Sequence, residues 1–107
     1  TECQLAEKEF FNCIKIDVQG FELRCLKGGK QLFKRNKNLI ALIEFWPKGL
    51  EQAAEDPIEL LKLLRSWGFS LYWIDEYQET KKKVHNLQKL IRLARQQDFV
   101  NLLCLRK

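Results

Sequence analysis

The chain has 107 residues, 46% hydrophobic and 31% charged, which is enough apolar material for one modest core and too little for a second domain. Its longest apolar runs are strand length and interrupted by charges, so no transmembrane span and no secretory signal peptide is visible. A net charge of +5 suits an acidic partner, but the basic residues are spread along the chain and only Lys81-Lys82-Lys83 forms a run, so neither nucleic acid nor a membrane is expected as a partner.

The chain contains no methionine and passes quickly from Thr1 into a core strand, which reads as an excised piece. Ile14, Ile16 and Val18 predict a β-branched strand over Cys13 to Val18, with Asp17 near its carboxyl end and Gly20 allowing a sharp turn. Phe21 to Asn36 is helical in pattern, but Gly28-Gly29 interrupts it, so two short helices or a kinked one are expected. Leu39 to Trp46 is almost continuously apolar, as in a strand covered on both faces, and it is taken as the central strand.

Asp56-Pro57-Ile58-Glu59 is a helix start, with Asp56 as cap, Pro57 in the first turn and Glu59 placed for a capping box. Ile58, Leu61, Leu64 and Trp67, with Leu60 and Leu63, form a broad apolar stripe. Gly68 ends that helix. Phe69 to Asp75 is an aromatic-rich strand, and the polar stretch Glu76 to His85, including the lysine run, reads as a solvated loop. Asn86 caps a second amphipathic helix with Leu87, Leu90, Ile91 and Ala94 on one face and Lys89, Arg92 and Arg95 on the other. Val100 to Leu105 is the last strand.

Four cysteines show no metal-binding spacing, and Cys13, Cys25 and Cys104 lie in apolar runs; buried reduced thiols and a cytoplasmic location follow. His85 stands alone, which excludes a nucleophilic triad. Two acids stand out. Asp17 sits where ligands meet open α/β sheets, although it could equally satisfy turn amides near Gly20. Glu44 interrupts a strand built for burial, so it is either paired, with Lys15 as the obvious partner, or close enough to the strand end to reach a cleft. Trp46 and Lys48 follow it at the same edge, in what reads as a flexible basic loop, where the Trp is either an acceptor wall or core.

Ile14 to Gly29, reading Ile-Lys-Ile-Asp-Val-Gln-Gly-Phe-Glu-Leu-Arg-Cys-Leu-Lys-Gly-Gly, followed by Leu39 to Pro47, resembles the FkbM-type S-adenosylmethionine-dependent methyltransferases. The resemblance implies a Rossmann-like α/β class I methyltransferase sheet. Its carboxyl-terminal half would contribute about four mostly parallel strands with flanking helices, the last strand inserted antiparallel beside the central one and Phe69 to Asp75 beyond it. It implies that Asp17 faces the methionine end of the cofactor, where it could orient the acceptor, act as a base or bind a metal. Gln19 stands beside it, at a position where many members carry Glu. It further implies that Glu44 lines the active site of an enzyme whose acceptor is a small hydroxyl-bearing molecule, such as a sugar; Trp46 and Lys48, at the same edge, are expected to border that acceptor.

No glycine-rich turn follows a strand here, so residues 1–107 are expected to be one unit, the carboxyl-terminal part of a domain whose cofactor-binding half is absent. The Cys13 to Val18 strand would then have a free edge inviting self-association. The competing expectation is a non-catalytic α/β module binding an acidic partner through Lys81 to Lys83, Arg92 and Arg95.

Overall fold

The computed structural model describes residues 5–8, 13–16, 22–35 and 39–106. Asp17, Val18, Gln19 and Gly20 lie outside the described residues. The strands are β1 (Leu5–Lys8), β2 (Cys13–Ile16), β3 (Ile40–Phe45), β4 (Ser70–Asp75), β5 (Thr80–Lys83) and β6 (Val100–Leu105). The helices are α1 (Glu22–Gly28), α2 (Lys30–Arg35), α3 (Pro47–Gln52), α4 (Pro57–Ser66) and α5 (Leu87–Gln97).

The helix boundaries have local causes. Gly29 separates α1 from α2 as the glycine pair predicts. The Asp56 carboxylate accepts from the Ile58 amide at 3.1 Å, capping α4, and the Asn86 side chain accepts from the Lys89 amide at 3.2 Å, capping α5. Gly68 ends α4 at φ +89°, a conformation that glycine adopts without steric cost.

The sheet order is β1-β2-β3-β6-β4-β5. β2 and β3 are parallel, and β6 lies antiparallel between β3 and β4, as the family resemblance implies. Two strands were not anticipated. β1 pairs antiparallel with β2, so β2 is not the free edge expected to drive self-association. β5 pairs antiparallel with β4, so Lys81 to Lys83 form part of an edge strand rather than a loop. Among the described residues the sheet therefore has six strands instead of about four, and β2–β3 is the one parallel pairing of its five.

The core lies on one face of this sheet. Ala41, Ile43 and Phe45 alternate with less buried neighbours along β3, and Val100, Leu102 and Cys104 do the same along β6. The register lines up Ile16, Ile43, Leu102 and Trp73 in one row, and Ala41, Cys104 and Leu71 in the next. Against this face α1, α3, α4 and α5 touch one another as a continuous layer, contributing Leu26, Leu50, Leu60, Leu61, Leu64 and Ala94. Phe33 of α2 joins through aromatic contacts to Trp67 and Phe69, with ring centroids 5.0 and 6.0 Å apart. Lys15, Ile40, Leu42, Glu44, Leu103, Leu105 and Tyr72 occupy the other face and keep partial or full exposure. The central strand is thus fully covered on one face, not on both. Its continuous apolar run reflects a second face that is apolar but open among the described residues.

This asymmetry has a measurable signature. In the 107-residue chain, Leu102→Ala opens a cavity in the core and costs about 2–5 kcal/mol. Leu103→Ala, one residue on but facing outward, costs less than about 1 kcal/mol. Urea unfolding of both variants checks this; equal losses would mean that the second face is also covered.

Candidate active site

The carboxyl ends of β2, β3 and β4 and the amino end of β6 share one edge of the sheet, because β6 runs opposite to the other three. Glu44, next to last in β3, stands directly opposite Asn101 of β6. It is half-buried on the open face. Lys15 pairs with Leu42, two residues before Glu44 on that face. The Asn101 side-chain amide donates to the Glu76 carboxylate at 3.2 Å, linking the start of β6 to the turn after β4.

Beyond Trp73–Leu102 the paired register of β4 and β6 ends, while β4 stays paired with β5 to Asp75. A cleft of about 440 Å³ opens where they part, between the β4–β5 turn and the α5–β6 turn. Trp73, Glu76, Tyr77, Gln97, Phe99 and Asn101 are among its walls. This is the position at which open sheets receive ligands.

One side of the edge is braced by Trp46. Its ring fills the space above Gly49, where a Cβ would lie 2.0 Å from the indole Cε3. Its Nε1 donates to the Asp98 carboxylate at 3.1 Å. Asp98 adopts φ +78° and ψ −52°, a strained turn conformation for a residue with a Cβ. Trp46 is also the residue that begins α3, with Pro47 in the first turn, so the expected flexible loop is a helix. Lys48 lies exposed on that helix.

On the other side Asp75 holds the β4–β5 turn. Its carboxylate pairs with Lys82 at 3.0 Å and accepts from the amides of Tyr77 and Gln78 at 3.0 and 3.2 Å. The Lys82 hydrogen bond, reinforced by those amides, holds the Asp75 carboxyl below its usual range. Lys82 also lies over the Trp73 ring, 5.2 Å from its centroid.

The residues of the acidic-partner reading lie on two elements, Lys81 to Lys83 on β5 and Arg92 and Arg95 on α5. Lys82 and Lys81 stand over the rings of successive residues, Trp73 and Tyr72, which point to opposite faces of the sheet. Arg95 makes a two-pronged pair with Glu51 at 2.8 and 3.0 Å, which raises the Arg95 pKa and lowers that of Glu51. Arg92 and Lys83 are exposed.

Of the residues expected to form the site, Glu44, Trp46 and Lys48 lie at or just beyond this edge, and Asp17 and Gln19 fall outside the described residues. Asn101, Glu76 and Asp98 were missed. The available signal was weak but physical, since Asp98 and Asn101 are polar residues flanking the start of an otherwise apolar strand. Cys25 and Cys104 are buried, as the apolar runs around them suggest, and burial pushes the Cys104 thiol well above its usual range. Among the described residues no helix is long and apolar enough to cross a membrane.

Two measurements test the braces. Gly49→Ala forces the indole out of its seat, so the emission of Trp46 shifts to the red and stability falls by about 1–3 kcal/mol; an unchanged spectrum would mean the ring is not seated there. For Asp75 the folded pKa is depressed, so its contribution to stability is present above the ordinary aspartate range and lost as pH falls through the lowered value. An acid titration of the Tyr77 and Gln78 amide resonances follows this directly, and Lys82→Ala moves its midpoint upward.

The model of the methyltransferase FkbM domain matches residues 3–71, from before β1 into β4. No curated protein and no solved structure matches the chain. The match takes in β2, β3 and the helices that follow each of them, and it includes Glu44 at the carboxyl edge. The chain belongs to the FkbM methyltransferase domain family.

Proposed function

We propose that the chain forms the carboxyl-terminal half of an S-adenosylmethionine-dependent methyltransferase domain whose full-length parent methylates a hydroxyl group of a small molecule or sugar. The observation that carries this reading is the position of Glu44, a half-buried carboxylate at the carboxyl end of β3, opposite Asn101, within the stretch that matches the methyltransferase domain. Alkylation of a hydroxyl requires the oxygen to be aligned and its proton removed. A carboxylate beside a side-chain amide is suited to both tasks.

In this reading the adenosine end of the cofactor is received by the other half of the domain. The adenosine end of such a molecule is normally received by a glycine-rich turn and a ribose-binding acid at strand ends, and no described strand runs into a glycine-rich turn. The open sheet face supports a second half that brings them. Leu42, Leu103, Leu105 and Tyr72 offer an apolar surface on that face for further helices. In this reading Asp17 and Gln19 meet the methionine end of the cofactor, while Trp46 and Lys48 border the acceptor.

The test is turnover in the full-length protein. Glu44→Gln keeps the shape of the side chain and removes its charge, so methyl transfer falls by about a hundredfold or more while thermal unfolding is little changed. Replacing Lys81 and Lys83 together leaves turnover intact. Full activity in the Glu44 variant would remove that residue from the site.

A further inference from the structure

On the open face of the sheet, four polar side chains form a row across the carboxyl edge. Lys15 of β2 stands beside Leu42, two residues before Glu44, and so lies diagonally from Glu44. Glu44 of β3 is directly opposite Asn101 of β6, and Asn101 reaches Glu76, just past the end of β4, through a hydrogen bond of 3.2 Å. Directly opposite residues of an antiparallel pair share a face, with Cβ atoms roughly 4.5–5.5 Å apart. Asn101 therefore stands between two carboxylates, Glu44 on the β3 side and Glu76 on the β4 side.

Only one member of this row can change its hydrogen-bonding sense. A lysine ammonium donates, an ionised carboxylate accepts, and a side-chain amide does either, according to which of its ends faces the partner. A carboxylate can take a hydrogen only from the NH2 end. The bond to Glu76 thus commits the Asn101 Nδ2 to the β4 side and turns the carbonyl oxygen away from it. The opposite flip would aim the NH2 group at Glu44, and a hydrogen bond donated to a carboxylate favours its charged form and weakens it as a base.

We infer that Glu76 is a positioning residue: by holding the Asn101 amide it keeps Nδ2 off Glu44 and preserves Glu44 as a proton acceptor. This role rests on the reading of Glu44 as the base of methyl transfer, whereas the hold on the amide does not. Glu76 and Asn101 both lie beyond residues 3–71, the stretch that matches the methyltransferase domain. Glu76 is itself exposed in the β4–β5 turn, so its replacement leaves the fold intact.

The experiment pairs NMR with turnover in the full-length protein. Glu76→Ala frees the amide, so the side-chain NH2 resonances of Asn101 move and kcat at neutral pH falls about three- to tenfold, with KM unchanged. The acidic limb of the kcat profile moves to lower pH, because a Glu44 that receives the NH2 group keeps its charge further into acid. Glu76→Gln restores all of these, since its carbonyl oxygen accepts the same hydrogen. In an Asn101→Ala background, Glu76→Ala changes neither kcat nor the profile, as expected of a residue that acts through the amide. The backbone amide spectrum verifies that each variant is folded. Three results would each overturn the assignment: Asn101 resonances indifferent to Glu76→Ala, an unchanged kcat profile once they have moved, or the same fall in kcat without the Asn101 amide. An inactive Glu44→Gln beside a silent Glu76→Ala would end this inference alone. Full turnover in Glu44→Gln would end the base reading, and this role with it, even where the Asn101 resonances follow Glu76.

Discussion

The fold depends on the insertion of β6 between β3 and β4. All six residues of β6 pair with β3, and four of them also pair with β4. Without β6, two strands that run the same way would have no hydrogen-bonded link, because β3 and β4 never pair directly. The insertion also builds the candidate site. Running antiparallel, β6 brings its amino end to the edge where β3 and β4 finish, so Asn101 meets Glu44 across the ladder. A parallel strand in the same slot would bring its carboxyl end there instead.

The one-sided core follows from where the helices sit. Every close helix–helix contact joins members of a single layer, and alternation along the strands sends Ile43, Phe45, Leu102 and Cys104 into it. Arginines bridge elements around this layer. The Arg106 guanidinium lies over the Phe69 ring, 4.7 Å from its centroid, and donates to the carbonyls of Trp67, at 3.1 Å, and Phe33. Arg65 donates to the Val84 carbonyl at 3.0 Å. Arg24 pairs with Glu55 at 2.8 Å. These arginines join elements of the fold.

Much of this was legible in the residues. Asp56 and Asn86 announced their helices because capping is a local interaction, and Gly68 ended α4 for an equally local reason. Ile14 and Ile16, and the run from Ile40 to Phe45, were readable as strands from β-branching and apolar continuity. What failed was non-local. Thr80 to Lys83 has no apolar alternation, and it becomes a strand only because Tyr72 to Asp75 offer it an edge, with Lys82 held by Asp75. Pro47 to Gln52 forms a helix too short to show a period, and its start depends on Trp46 settling over Gly49. The openness of one face could not be read from Leu42, since a solvent-facing leucine and a buried one look alike in sequence. The Glu44–Asn101 pairing needed the register of two strands that lie far apart in the chain.

The carboxyl edge is rigid on one flank and held by a single turn on the other. On the α3–α5 flank, the Trp46–Asp98 hydrogen bond and the Arg95–Glu51 pair join the two helices. A strained residue such as Asp98 costs on the order of 1–3 kcal/mol, while a hydrogen bond returns about 0.5–1.5 kcal/mol net, so the turn persists because packing on both sides adds to that bond. On the β4–β5 flank, Asp75 and its three partners fix the base of the turn, and Tyr77 at its tip touches almost nothing. A site with one fixed wall and one light, exposed wall can hold a reacting group in place while adapting to the rest of the ligand. Glu44 sits in β3, and Asn101 links it across the ladder to Glu76 in the turn after β4. The exposed Tyr77 sits on the β4–β5 flank.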